Sequence, residues 1–284
     1  MNSPRISVLM PVYKPQSRHL KEAIDSVLTQ TFSDLELIII DDCPADVSAE
    51  DVIKSYCDKR IKYFRNEKNL GIAKTRNRLL EIAFESQSEY IAIVDHDDIQ
   101  LQSKYEKMIK FLDENPTIGV VGAGFYEWWE KTGEIKTKFL PEFDFLIRLN
   151  IFIGKSGIIH ASMVRKELFK KHNIRYLDKY SEPSDQMMWM DMLRHTSFYN
   201  IQEPLTKYRW HDTNTSLLLK HREKEFMQSI LDYIKEKYSK ESIAAKSMLN
   251  ELSENKVKKY KKLFYISLFI SIVLVLVFIL SYIF

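Results

Sequence analysis

The sequence predicts an α/β protein, a doubly wound and mostly parallel sheet followed by C-terminal helices, and three observations carry that expectation. Short, nearly continuous apolar runs at residues 6–12, 35–40 and 90–94 each end abruptly in turn or acidic residues, as strands do when helices cover both faces of a sheet. Between the runs, apolar residues recur at helical spacing, so strand and helix alternate over the first half of the chain, the pattern of βα units. No internal repeat or low-complexity linker interrupts the alternation.

In chain order, residues 6–12 form the first strand, ended by Tyr13-Lys14-Pro15. Leu20, Ala23, Ile24, Val27 and Leu28 then make one apolar helical stripe. Residues 35–42 are a second strand stopped by Asp41 and Asp42, followed by a helix over 50–57, a strand over 61–65 and a helix opened near Gly71. The run 90–98 ends in Asp95, His96, Asp97 and Asp98. Tyr105, Met108, Ile109 and Leu112 form a helical stripe that stops at Asn115-Pro116, and 118–123 reads as the next strand. Further on, 128–141 reads as a polar hairpin or loop, 143–152 as a short helix and 157–163 as an apolar strand. Residues 181–193 carry Glu182 and Asp185 ahead of Met187-Met-Trp-Met190. Phe226, Ile230, Tyr233 and Ile234 mark an amphipathic helix that, with 243–252, packs on the domain or lies on a bilayer surface.

The acids at 95–98 fall at the carboxyl end of a buried strand, where ligands of open α/β sheets bind. Clustered carboxylates repel unless a cation or proton is shared. A divalent Mn²⁺ or Mg²⁺ holding a diphosphate satisfies them, since both ions share oxygen ligands between carboxylates and phosphates; a solvated acidic turn capping the next helix is the alternative.

With 45% hydrophobic and 29% charged residues the 284-residue chain is globular in composition. Cys43 and Cys57 show no paired spacing, so neither a disulfide framework nor a thiolate metal site is expected. The N-terminal apolar run is too short for a secretory signal. Residues 263–284 carry no charge, and at about 1.5 Å per residue they are long enough for a hydrocarbon core of about 30 Å. A transmembrane helix is therefore expected there. Lys256, Lys258, Lys259, Lys261 and Lys262 precede it and predict a single-pass protein of the cytoplasmic membrane with the bulk of the chain in the cytoplasm. Removing these five lysines from the 42 basic residues leaves 37 against 39 acidic ones, so the body lacks the basic surface a nucleic-acid partner requires.

The stretches 6–13, Gln30-Thr-Phe32, 36–42, Asn69-Leu-Gly-Ile-Ala-Lys-Thr-Arg-Asn77 and Asp95-His-Asp-Asp98 together resemble the family 2 glycosyltransferases of the GT-A fold, inverting enzymes of the bacterial surface-glycan type. The likeness runs on through His160-Ala-Ser162, Ser184-Asp185 and Tyr208-Arg-Trp-His211. It implies a GT-A domain over 1–215, a helical and basic segment over 216–262, and the anchor over 263–284. It also implies a nucleotide-diphosphate sugar, UDP-linked, held by Pro11, Tyr13, Asp42, Asn69, Arg76, Asp95 and Asp97. Tyr13 corresponds to the aromatic stacked on the base, Asp42 to the acid bonded to it, and Arg76 to a phosphate contact. The metal falls to Asp97, Asp98 and His211, and the base for the acceptor hydroxyl to Asp185. Because Ser184-Asp185 replaces the usual Glu-Asp pair, the choice between Asp185 and Glu182 stays open, and Lys14 stands where the common start has Asn. His160 and Ser162 match a stretch near the acceptor side, with Ala161 in place of proline. Trp128 and Trp129 are expected to cover the sheet.

The implied activity is transfer of a sugar to a lipid-linked or polysaccharide-type glycan at a membrane face. A catalytically inactive, tethered binding protein is the alternative, against which Asp97, Asp98 and Asp185 argue. A dinucleotide-binding oxidoreductase is disfavoured, because no glycine-rich turn follows the first strand.

Overall fold

In the computed structural model the described residues are 3–180, 184–218 and 220–254. They contain nine strands: β1 (Ile6–Val12), β2 (Leu35–Asp41), β3 (Ile61–Arg65), β4 (Tyr90–Ile93), β5 (Ile99–Gln100), β6 (Ile118–Trp129), β7 (Glu134–Lys138), β8 (Met163–Arg165) and β9 (Ser197–Trp210). One sheet joins them in the order β3-β2-β1-β4-β8-β6-β9-β5, with β7 paired to β6. The helices are α1 (Ser17–Leu28), α2 (Ser48–Lys54), α3 (Ile72–Phe84), α4 (Lys104–Glu114), α5 (Asp144–Phe152), α6 (Lys166–Lys171), α7 (Ser184–Met192), α8 (Thr215–Leu218), α9 (Glu223–Lys237) and α10 (Ser239–Glu254).

The parallel half is the part that the apolar runs predict. β1 pairs with β2 from Ile6↔Leu35 to Val12↔Asp41 and with β4 from Ile6↔Tyr90 to Leu9↔Ile93. Both strands are buried on both faces. Ile6, Val8, Met10 and Val12 share one core with Leu20, Ile24 and Val27 of α1 and Tyr105, Met108 and Leu112 of α4. Leu9 and Pro11 turn the other way, toward Leu79 and Arg76 of α3. β4 stops opposite Leu9 whereas β1 continues to Val12, and the acidic turn follows the end of β4 at this edge of the sheet.

The other half departs from a parallel sheet. β8 is antiparallel to both β4 and β6, and β5 is antiparallel to β9. β9 is a 14-residue strand parallel to β6 that the sequence pattern concealed: it carries Pro204, and the register slips between Gly124, opposite Pro204, and Phe125, a bulge where proline costs no ladder bond. The apolar stretch 157–163 contributes to a strand only from Met163, because Ser162 turns back, its amide donating to His160 O and its hydroxyl to Ile159 O. The hairpin expected over 128–141 is β6–β7.

The expected membrane-spanning helix is corrected. Among the described residues no helix is long and apolar enough to cross a membrane: α10, the longest at 16 residues, spans about 24 Å against a hydrocarbon core of about 30 Å and carries Lys240, Glu241, Lys246, Glu251 and Glu254. Residues 255–284, on which the expected anchor, its lysines and the cytoplasmic-membrane placement rest, lie outside the described residues. The described residues divide into two units between Lys237 and Tyr238. Within the first, α9 packs on the domain, with Ile230, Tyr233 and Ile234 buried and Tyr233 Oη donating to Asp191 Oδ1 of α7 at 2.7 Å.

Candidate active site

The site forms where β1, β2 and β4 end. Asp95 is the first side chain beyond β4 to enter the crevice. It accepts a hydrogen bond from Arg76 Nη2 at 3.0 Å, and although burial pushes its carboxyl up, His160 and Arg76 hold it below the ordinary carboxylate value. Arg76 comes from α3, with its guanidinium 5.5 Å from the Tyr176 ring centroid and its Nε buried without a partner among the described residues. Burial works against its charge, and Asp95, Tyr176 and Asp185 keep it above the ordinary arginine value. Tyr176 in turn is held by its backbone: its amide donates to Asn77 Oδ1 at 2.9 Å, and its carbonyl accepts from Asn77 Nδ2 at 2.8 Å. Leu9, Pro11, Ile93, Arg76, Leu79 and Tyr176 line the crevice.

His160 completes this cluster. Its Nε2 lies 3.4 Å from Tyr176 Oη and its Nδ1 has no partner among the described residues. Burial, reinforced by Arg76, pushes it down to about 4, so it is neutral at physiological pH. Asp185 stands half-buried in the first turn of α7, and its charge bears on Arg76, His160 and Tyr176. The helix behind it is buried through Met187, Met188, Trp189 and Met190. That fixes the turn on a rigid base. Glu182, the other carboxylate considered as base, lies outside the described residues.

Asp97 and Asp98 separate in role. Asp97 Oδ2 is 3.0 Å from His211 Nε2 and accepts weakly from Asn214 Nδ2 at 3.4 Å. Asp98 is buried and its Oδ1 accepts the Arg209 amide at 2.9 Å. Burial, together with Asp97 and Asp95 beside it, pushes the Asp98 carboxyl well above its ordinary value. Among the described residues no group of three or more His, Cys, Asp or Glu side chains is arranged to hold a metal. The facing pair of a carboxylate oxygen and an imidazole nitrogen at Asp97 and His211 still fits a divalent cation whose remaining ligands are phosphates and water, and imidazole suits Mn²⁺ better than Mg²⁺.

On the β2 side Asp42 is committed inward. Its carboxylate accepts from Asn66 Nδ2 at 2.6 Å, the Leu70 amide at 2.8 Å and the Gly71 amide at 2.9 Å, tying β2 to the loop that opens α3. Gly71 has φ +80°, which only glycine adopts without strain, and Asn69 Oδ1 accepts the same Gly71 amide at 2.9 Å. Asp41 is bound by the Cys43 amide, Tyr63 Oη and Arg65 Nε. Tyr13 is exposed, with Lys14 Nζ 5.3 Å from its ring centroid. Lys14 has φ +43°, a conformation that asparagine adopts more readily than lysine.

Several residues at the site escaped sequence reasoning. Arg209 lay inside a motif but its side chain was not singled out, and it is fully buried, donating to Asp97 O at 2.8 Å, to Glu130 Oε1 at 2.7 Å and to Glu22 Oε2. Asn77 closes the 69–77 motif but was given no role, and Tyr176, Asn66, His19 and Glu130 belong to no local pattern. Trp128 lies against the Arg209 and Lys207 charges, 4.5 and 4.1 Å from its ring centroid.

Residues 7–172 match the profile of the family described as glycosyl transferase family 2. The chain belongs to glycosyl transferase family 2. An uncharacterized glycosyltransferase of Methanocaldococcus jannaschii is 35% identical over 214 residues, covering 74% of this chain and 72% of that protein. One of Haemophilus influenzae is 28% identical over 241 residues, covering 81% and 72%. Among solved structures, S. aureus TarS 1-349 in complex with UDP-GlcNAc superposes with a TM-score of 0.60 at 19% identity, over 74% of this transferase and 60% of that chain. The longer S. aureus TarS gives 0.59 at 20% identity, and this transferase spans 37% of its length. At such identity the likeness shows a common fold, the GT-A-like α/β domain.

Proposed function

We propose that this glycosyltransferase moves a sugar, with inversion, from a UDP-linked donor to a hydroxyl of a glycan acceptor. The observation that supports the reading is that Asp42, Asp95 and Asp97 all follow the carboxyl ends of β2 and β4, with Arg76 paired to Asp95 at 3.0 Å, in a family 2 chain. The TarS structures with UDP-GlcNAc and UDP support the choice of nucleotide.

In this reading Tyr13 offers its exposed face to the base and the loop at 69–71, braced by Asp42, borders it. Arg76, with Nε free to donate, turns toward the diphosphate, while Asp95 and the neutral His160 face sugar hydroxyls. Asp185 takes the acceptor proton. The acceptor oxygen forms its bond to the anomeric carbon as the bond to the diphosphate oxygen breaks, and the electron pair leaves with UDP. Asp97 and His211 would hold Mn²⁺ or Mg²⁺, which supplies charge neutralisation for the departing diphosphate.

The test is a panel of nucleotide sugars incubated with Mn²⁺, scored by nucleotide release and by the shift in melting temperature. UDP and one UDP-sugar are expected to stabilise the protein, and that sugar to be turned over. If UDP leaves the melting temperature unmoved while another nucleotide raises it, the donor assignment is wrong.

A further inference from the structure

We propose that Glu130, just beyond β6, is a positioning residue that sets the geometry of Asp97 and His211; the inference deepens the proposed function and takes the identity of the ligand from it. One carboxylate here gathers donors from two distant parts of the chain. Arg209 of β9 donates to Glu130 Oε1 at 2.7 Å, His19 Nε2 of α1 to Glu130 Oε2 at 3.0 Å, and Arg18 to Oε1. The Glu130 amide also donates to Trp210 O at 3.0 Å, the residue before His211.

Two of these donors, Arg209 and His19, then reach the site. Through Arg209 the carboxylate controls the turn: Nε of the same guanidinium holds Asp97 O at 2.8 Å, and the Arg209 amide holds Asp98 Oδ1 at 2.9 Å. Arg209 has no exposed surface, and besides Glu130 its guanidinium meets one other carboxylate, Glu22. Through His19 the carboxylate controls the other ligand candidate: the His19 ring centroid lies 4.7 Å from that of His211, whose Nε2 faces Asp97 Oδ2 at 3.0 Å. Both arms end on Asp97. Burial favours a neutral Glu130, but Arg209 and Arg18 hold its carboxyl down to about 2, so the anion persists at any working pH. A network of similar density at the opposite end of the sheet, Arg5 with Glu89 and Asp113, touches no site residue and serves as the comparison.

The experiment uses the full chain. Glu130→Gln keeps the shape and removes the charge. It is expected to raise the Mn²⁺ concentration for half-maximal activity and the donor KM by about tenfold, the scale for losing a residue that orients a metal ligand, with a smaller fall in kcat. The His211 imidazole resonance, assigned from its loss in His211→Gln, is expected to move in Glu130→Gln and in His19→Gln. Glu89→Gln is expected to lower the melting temperature and move neither. An unmoved His211 resonance in both variants overturns the proposal, and so does a Glu130→Gln enzyme with native Mn²⁺ midpoint and KM, whatever its melting temperature. Should Glu130→Gln fail to fold, His19→Gln, which retains the carboxylate, gives the same two readings for its arm. A His211 resonance that moves as expected in a protein whose wild type turns over no nucleotide sugar supports the positioning contact and refutes the function.

Discussion

Asp42→Ala separates the two tasks that the Asp42 carboxylate is positioned to perform, bracing a loop and meeting a ligand. In the free protein the carboxylate accepts three hydrogen bonds, from Asn66 Nδ2, Leu70 N and Gly71 N. Two of these donors keep a second partner, Thr75 Oγ1 for Asn66 and Asn69 Oδ1 for Gly71, so only the half-buried Leu70 amide is stranded. Hydrogen bonds to a charged group contribute about 1.5–3 kcal/mol each when nothing replaces them. With two donors re-satisfied, the expected loss is about 2–3 kcal/mol. For a domain of this size each kcal/mol moves the midpoint by about 2–4 °C, so Asp42→Ala should melt roughly 5–10 °C below wild type with no ligand present. The assay is thermal unfolding of both proteins without nucleotide, followed by UDP titration. A variant that melts within about 2 °C of wild type would refute the bracing role.

Asp185→Asn is expected to retain UDP binding and lose transfer by about 10²–10⁴-fold, the usual contribution of a general base, as measured by titration and by product formation; normal transfer would move the base elsewhere. His160 adds a pH dependence to stability. Its imidazole is neutral in the folded protein down to about pH 4 but takes a proton near its ordinary value of 6.5 when unfolded. Stability present above pH 6.5 is therefore lost as pH falls through that window, by roughly 2 kcal/mol once its partial exposure is allowed for. Urea midpoints of wild type and His160→Gln between pH 7 and about 4 should converge as pH falls, and parallel curves would contradict the assignment.

The parallel half of the fold was legible because β1, β2 and β4 are buried on both faces and so appear as uninterrupted apolar runs, each ending where the chain must turn. β9 was hidden because its bulge at Pro204 and its mixed surface break both periodicities. β5 has two residues, too few to leave a pattern. Asp42, Asp95 and Asp97 are visible as acids that stop apolar strand runs at the sheet edge, whereas the role expected of Arg76 comes only from the family resemblance. Tyr176, His19 and Glu130 could not be named in advance: they reach the site over long sequence separations, Tyr176 through Asn77 and His19 through Glu130, and no local spacing encodes such contacts. The sequence also suggested that Asp97 and Asp98 act alike, whereas burial and the Arg209 amide give Asp98 an inward role at the turn.

The central claim, inverting transfer from a UDP-linked sugar, is tested most directly by following the anomeric proton during turnover. The purified chain is given Mn²⁺, an α-linked UDP-sugar and a glycan acceptor, and the reaction is read by proton NMR alongside an Asp97→Asn control. The account predicts UDP release coupled to a β-linked product in wild type and neither in the control. An α-linked product, or equal turnover by Asp97→Asn, would contradict it.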